Sequence, residues 1–311
     1  MLLYNHHLGR TAGTTLGYIL KRNYGEEYLK ISKAEMSKYL GKKPKVDFSL
    51  HQLTSDELNF IIDHCDKLPK CISSHYISIH NGIDSFRQRY GDVKMITFIR
   101  DPMSRVLSHY FALRNKYLHM KELPVHIKYD YRNDINEWIR NNEYVASKYG
   151  WLDYCKSRQT YYFDNHYNLD KAILRMKNDF WFVGIVERFD EGLLLLKDQF
   201  KKLGRNLNIM YIRQAKVPHS KQEIDQFVTP EVRKKLEDMN GLDQQLYEEA
   251  KQIFKDRIKK YSGDLESDLN EYRKKLKRWQ IYQLYIPSKI RKILGWTNNK
   301  LSVTYFPLAK N

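Results

Sequence analysis

Cysteine is scarce: Cys65, Cys71 and Cys155 are an odd number without paired spacing, among 311 residues. That excludes a disulfide framework and a zinc ribbon, and it suits a reducing compartment. No run of about 18 apolar residues occurs, so no membrane span is predicted. The start Met1-Leu2-Leu3-Tyr4 passes directly into His6-His7 and Gly9, unlike a secretory signal, and the expectation is a cytoplasmic protein. The adjacent pair His6-His7 lacks ligand spacing and no Cys/His cluster offers four ligands, so no metal site is expected. Nucleoside-triphosphatase chemistry is disfavoured too, because GxxxxGK[ST] is missing and no lysine follows Gly13.

Apolar residues are plentiful at 42%, enough for a large core, so disorder and collagen-like structure are excluded. Charge is uneven. Lys and Arg number 54 against 37 Asp and Glu, giving +17. From Arg273 to Asn311 there are ten basic residues and no acidic one, which leaves +7 for the preceding 272 residues. The chain therefore divides into a body at 1–262 and a basic, aromatic-rich tail at 263–311.

Along the body, strands alternate with helices, the pattern of a parallel sheet covered on both faces. Strands are expected at Met1–His7, Cys71–His75, Val93–Arg100 and Phe180–Ile185. Helices are expected after Gly13, at Asp56–Cys65 with Ser55 as its cap, and from Pro102 with Asp101 before it. Others lie at Leu169–Lys177, after Glu187, and from Pro230, with a break at Asn240-Gly241. Residues 26–50 and the tyrosine-rich stretch 144–167 carry no clear period.

Two strand ends carry chemistry. The first runs Leu8-Gly9-Arg10-Thr11-Ala12-Gly13-Thr14-Thr15 into a helix. Unsatisfied backbone N–H groups and the positive end of the dipole make such a turn an anion site. The same loop also reads as an ordinary threonine-capped turn. The second, Arg100-Asp101-Pro102 through Ser108-His109-Tyr110, can aim a guanidinium fork and a hydroxyl at one point.

Together these segments resemble the paired signatures of sulfotransferases that use 3′-phosphoadenosine 5′-phosphosulfate (PAPS), closest to the heparan sulfate 2-O-sulfotransferase-like carbohydrate group. Phe182–Asp190 is similar to the stretch closing that group's core, and Val217–Gln222 resembles its late covering loop. The resemblance implies an α/β fold with a P-loop-like parallel sheet flanked by helices. It implies that Arg10, Thr11, Ala12, Gly13, Thr14 and Thr15 hold the 5′-phosphosulfate. Arg100 and Ser108 would hold the 3′-phosphate, and Ser220 and Lys221 would cover the cofactor. The family usually carries Lys where this chain has Arg10. Arginine stabilises developing charge but never loses its proton, so an electrostatic role survives and a proton-donating one does not.

By the same resemblance His75, at the end of the expected strand Cys71–His75, is the base that takes the acceptor's proton. His51, His80 and Glu187 are the reserves. The acceptor implied is a glycan hydroxyl, on a polysaccharide or a lipid-linked sugar. Arg114, Lys116, Lys121, Arg132, Arg140, Lys148, Lys156 and Arg158 could line an acidic-glycan cleft. Tyr117, Trp138, Tyr149, Trp151 and Tyr154 could stack on sugar rings, although most such residues serve as solvated charges or core aromatics. The basic tail, with Trp279, Tyr282, Tyr285 and Trp296, suits an anionic membrane surface, or a helix docked on the body or on a second subunit. The alternative function is a basic nucleic-acid-binding protein without catalytic activity. It explains the tail and leaves the ordered strand–loop–helix motifs unaccounted for, so no nucleic acid partner is expected.

Overall fold

A computed structural model describes residues 1–41, 53–77, 79–118, 134–141, 156–212 and 227–285. Five parallel strands form one sheet: β1 (Leu2–His6), β2 (Tyr28–Ile31), β3 (Cys71–Ser74), β4 (Val93–Ile99) and β5 (Phe180–Ile185). Their spatial order is β2-β3-β1-β4-β5. The central strands read as near-continuous apolar runs because helices cover both faces. Leu2, Leu3, Tyr4, Ile72, Ile96, Phe182 and Val183 are all buried. The fold is therefore the α/β parallel sheet flanked by helices that the sequence implies.

The helices are α1 (Gly13–Tyr24), α2 (Lys33–Leu40), α3 (Ser55–Asp63), α4 (Ile79–Tyr90), α5 (Pro102–Leu118), α6 (Arg158–Phe163), α7 (Leu169–Asn178), α8 (Phe189–Lys202), α9 (Pro230–Met239), α10 (Gly241–Lys259) and α11 (Leu265–Tyr285). Thr54, and not Ser55, caps α3: its hydroxyl accepts from Glu57 N while Glu57 returns a bond to Thr54 N, a full capping box. The expected start of α5 is present, with Asp101 Oδ1 accepting from Ser104 N at 2.8 Å. A second cluster, built from Val106, Tyr110, Phe111, Trp138 and Val232, joins α5, α9 and the segment 134–141.

The main core continues past residue 262. Helix α11 buries Tyr272 and Leu276 in it. Tyr272 OH donates to the Ile209 carbonyl at 2.9 Å, and Arg22 lies 4.7 Å from the Trp279 ring centroid. The first part of the tail is thus docked on the body; residues 286–311 lie outside the described residues. No helix among the described residues is long and apolar enough to cross a membrane.

Candidate functional site

β1 and β4 are adjacent, so the loops leaving their C-terminal ends meet. This is the crevice where open α/β sheets place ligands. In the loop after β1, Arg10 and Ala12 both have positive φ, 69° and 61°. Left-handed backbone at non-glycine residues costs on the order of 1–3 kcal/mol and collects at ligand clamps. Alternation of this kind turns successive N–H groups toward one concavity, an anion nest, immediately ahead of α1. Thr11 is buried and its hydroxyl donates to the Leu8 carbonyl at 2.9 Å, fixing the turn. Thr15 is buried and Thr14 exposed.

The two strand ends grip each other. Arg10 donates to Ser108 Oγ from Nε at 3.3 Å and from Nη2 at 3.1 Å. Arg100 Nη1 donates to the Arg10 carbonyl at 3.2 Å. Burial, and then the nearby positive charge of Arg100, push the Arg10 guanidinium down to about 10. Arg10 has no carboxylate partner among the described residues. Two partly buried guanidiniums at one glycine-containing loop form a site that an anion would relieve.

Arg100 is set by its neighbours. Gln159 clamps its backbone from both sides, accepting from Arg100 N at 2.9 Å and donating to Arg100 O at 2.8 Å. Gln159 N in turn donates to the fully buried Asp243, which also accepts from Thr160 N and Thr160 Oγ1. Glu187 accepts from Asp101 N at 3.1 Å and from Tyr247 OH at 2.9 Å, with Arg100 Nε 4.0 Å away. Glu187, a reserve base on sequence grounds, is thereby a support of the Arg100 turn. Gln159, Asp243 and Tyr247 are contributors that sequence patterns do not reveal.

His75 follows β3 directly. Its ring lies 3.8 Å, centroid to centroid, from that of His7. Burial pushes His75 down to about 4 and His7 well below its ordinary value. His7 is pinned by its backbone N–H to the Ser74 carbonyl at 3.1 Å. Its ring reaches under the anion loop, where a Cβ on Gly13 would lie 1.6 Å from His7 Cδ2. The anion loop, His7 and His75 are therefore layered. No local sequence pattern marks His7 for the site, because its closeness to Gly13 is a tertiary fact. Among the described residues no group of three or more His, Cys, Asp or Glu is placed to hold a metal.

The other expected site residues are dispersed or undescribed. Ser220, Lys221 and His51 lie outside the described residues, as do Lys121, Arg132, Lys148, Tyr149, Trp151 and Tyr154; the side chains of His80, Lys116 and Tyr117 do too. Trp138 is a buried core aromatic, Arg140 pairs with Glu231 at 3.0 Å, and Arg114 donates to Tyr110 OH at 2.6 Å. Arg158 is buried, 4.6 Å from the Tyr161 ring centroid.

A family model described as "Sulfotransferase family" matches residues 2–255. No curated protein matches the sequence. Among solved structures, the chain is similar to the crystal structure of a sulfotransferase from Alicyclobacillus acidocaldarius, at 12% identity. That likeness covers 78% of this chain and 92% of the other, with a TM-score of 0.40.

Proposed function

The chain belongs to the sulfotransferase family, and from that premise we propose that its donor is PAPS and its acceptor a glycan hydroxyl, with His75 as the base. The observation that carries this reading is the meeting of Arg10, Ser108 and Arg100 at one loop. The residues suit a donor with separated anionic groups: a backbone nest at 10–13, two adjacent guanidiniums, and an Arg100 Nε that is buried without a hydrogen-bond partner. The nest, Thr11, Gly13 and Arg10 would hold the 5′ end, and Arg100 with Ser108 the 3′-phosphate. When bound, the donor supplies an activated sulfuryl group on a phosphate leaving group.

Arg10 stays protonated at neutral pH, so it acts by charge alone, neutralising the leaving oxygen without transferring a proton. Ser108 Oγ accepts from Arg10, which leaves its own O–H free to donate to a phosphate. His75 is neutral at pH 7 because burial disfavours the imidazolium, and a neutral ring can accept the acceptor's proton at once. Burial also makes it a weaker base than a free histidine, so its effectiveness depends on being correctly placed. The glycan acceptor, polysaccharide or lipid-linked sugar, remains the reading carried by the resemblance of the two loop motifs.

The test is transfer of labelled sulfate from PAPS to a panel of glycans by the wild type and by His75→Ala. Loss of about 10²–10⁴ in rate with product-nucleotide binding intact is expected. Undiminished transfer in the variant would remove His75 from the mechanism.

A further inference from the structure

Helix α11 has two unlike faces. Tyr272, Leu276, Trp279 and Gln280 face the body: Tyr272 and Leu276 lie in the core, and Gln280 Nε2 donates to the Tyr211 carbonyl at 2.9 Å. On the opposite side Lys274, Lys277, Arg278 and Ile281 follow one another at i, i+3, i+4 and i+7, all exposed. Neighbouring bases are compensated, Arg273 by Asp190 at 3.2 Å and Lys275 by Glu271. Lys274, Lys277 and Arg278 form no ion pair among the described residues. Like charges at these spacings repel one another and weaken a helix. The helix dipole does not repay them, since its influence fades within the last turn and α11 runs on to Tyr285. Beside them Ile281 is 47% exposed and Tyr282 57%.

We propose that this face of α11 is a peripheral docking surface for an anionic lipid bilayer. Charge complementarity calls for an anionic partner, and the exposed Ile281 and Tyr282 select among anions. A dissolved polyanion gains little from an isoleucine, whereas a headgroup interface takes bases at phosphate level and apolar side chains just below them. Docking would use only the outward face and leave the Tyr272, Leu276 and Trp279 contacts in place.

The experiment is co-sedimentation of the full chain with phosphatidylcholine vesicles, with and without phosphatidylglycerol, alongside retention on immobilised heparin. Binding to the phosphatidylglycerol vesicles alone is expected, released by salt. The variant K274E/K277E/R278E should bind them at least about tenfold more weakly. The variant I281S/Y282S should lose vesicle affinity while heparin retention stays unchanged. Thermal melts of both variants establish that they fold, and I281S/Y282S decides the matter if the charge reversal does not. The proposal is overturned if the wild type ignores phosphatidylglycerol vesicles or if the folded charge-reversal variant binds them as the wild type does. It is equally overturned if I281S/Y282S binds vesicles undiminished, the result expected of a glycan or nucleic-acid surface.

Discussion

The ring of His7 stands where a side chain on Gly13 would have to go: a Cβ there would lie 1.6 Å from Cδ2 and 1.7 Å from Nε2. Glycine is thus demanded by close approach. Gly13→Ala must displace either the anion loop or the His7 ring, and the ring backs onto His75. We expect about 1–3 kcal/mol of destabilisation from overpacking, with weaker binding of adenosine 3′,5′-bisphosphate. Adding His7→Ala should recover part of both losses. Denaturant unfolding and calorimetric titration of the four chains form the cycle, and purely additive losses would contradict the wedge.

Gln159 holds Arg100 by its main chain rather than its side chain. Gln159→Ala leaves one N–H and one C=O short of a partner, at about 1–3 kcal/mol for each group that stays buried. Because Arg100 then loses its aim, bisphosphate affinity should fall about tenfold or more, since a hydrogen bond to a charged group contributes about 1.5–3 kcal/mol. Gln159→Glu preserves only the bond accepted from Arg100 N and should rank between them. Wild-type affinity in Gln159→Ala would end the idea that this clamp sets the site.

Acid should destabilise the protein through its buried imidazoles. Burial lowers His6 and His75 to about 4, and it holds His7 and His109 well below the ordinary histidine value. These rings are neutral when folded but take up protons near pH 6.5 when unfolded. Stability is therefore full above pH 6.5 and falls as the pH drops toward 4, by about 1.4 kcal/mol per pH unit for each such ring. Melting curves between pH 7.5 and 5 check this, and His6→Gln, if folded, should flatten the slope. The acid limb of the turnover profile should likewise lie below pH 6; a limb centred at 6.5 would mean that His75 is solvated.

Arg10 carries charge into the site through a two-pronged contact with Ser108. Arg10→Ala should lower kcat by about 10²–10³, the scale for losing one preorganised stabiliser of developing charge. Arg10→Lys should restore much of kcat, since charge rather than proton transfer is required. Steady-state rates separate the two, and a lysine variant as slow as the alanine one would implicate the fork geometry instead.

Much of the scaffold was legible in the sequence, and for physical reasons. β4 is a buried parallel strand, so it reads as an apolar run, and Asp101-Pro102 marks the helix after it. Those signals put Arg10 in the loop after β1 and Arg100 and Ser108 at the turn and helix after β4, and adjacency of β1 and β4 in the sheet joined them. β2 and α2 went unassigned because a four-residue strand shows too little alternation, although Ser32 and Glu35 form a capping box that could have revealed α2. The docking of α11 was masked by charge, since the stripe Tyr272, Leu276 and Trp279 sits within a basic run. Gln159 and Asp243 could not be anticipated: their importance lies in contacts 59 and 84 residues away in sequence.

The most direct measurement is a thermal-shift comparison of adenosine 3′,5′-bisphosphate with ATP, on the wild type and on Arg100→Ala. At 100 times its dissociation constant a ligand adds about 2.7 kcal/mol. The bisphosphate should stabilise the wild type on that scale and ATP far less, and Arg100→Ala should lose the difference while still folding. Equal stabilisation by both nucleotides, or an undiminished bisphosphate shift in Arg100→Ala, would contradict a 3′-phosphate held at Arg100.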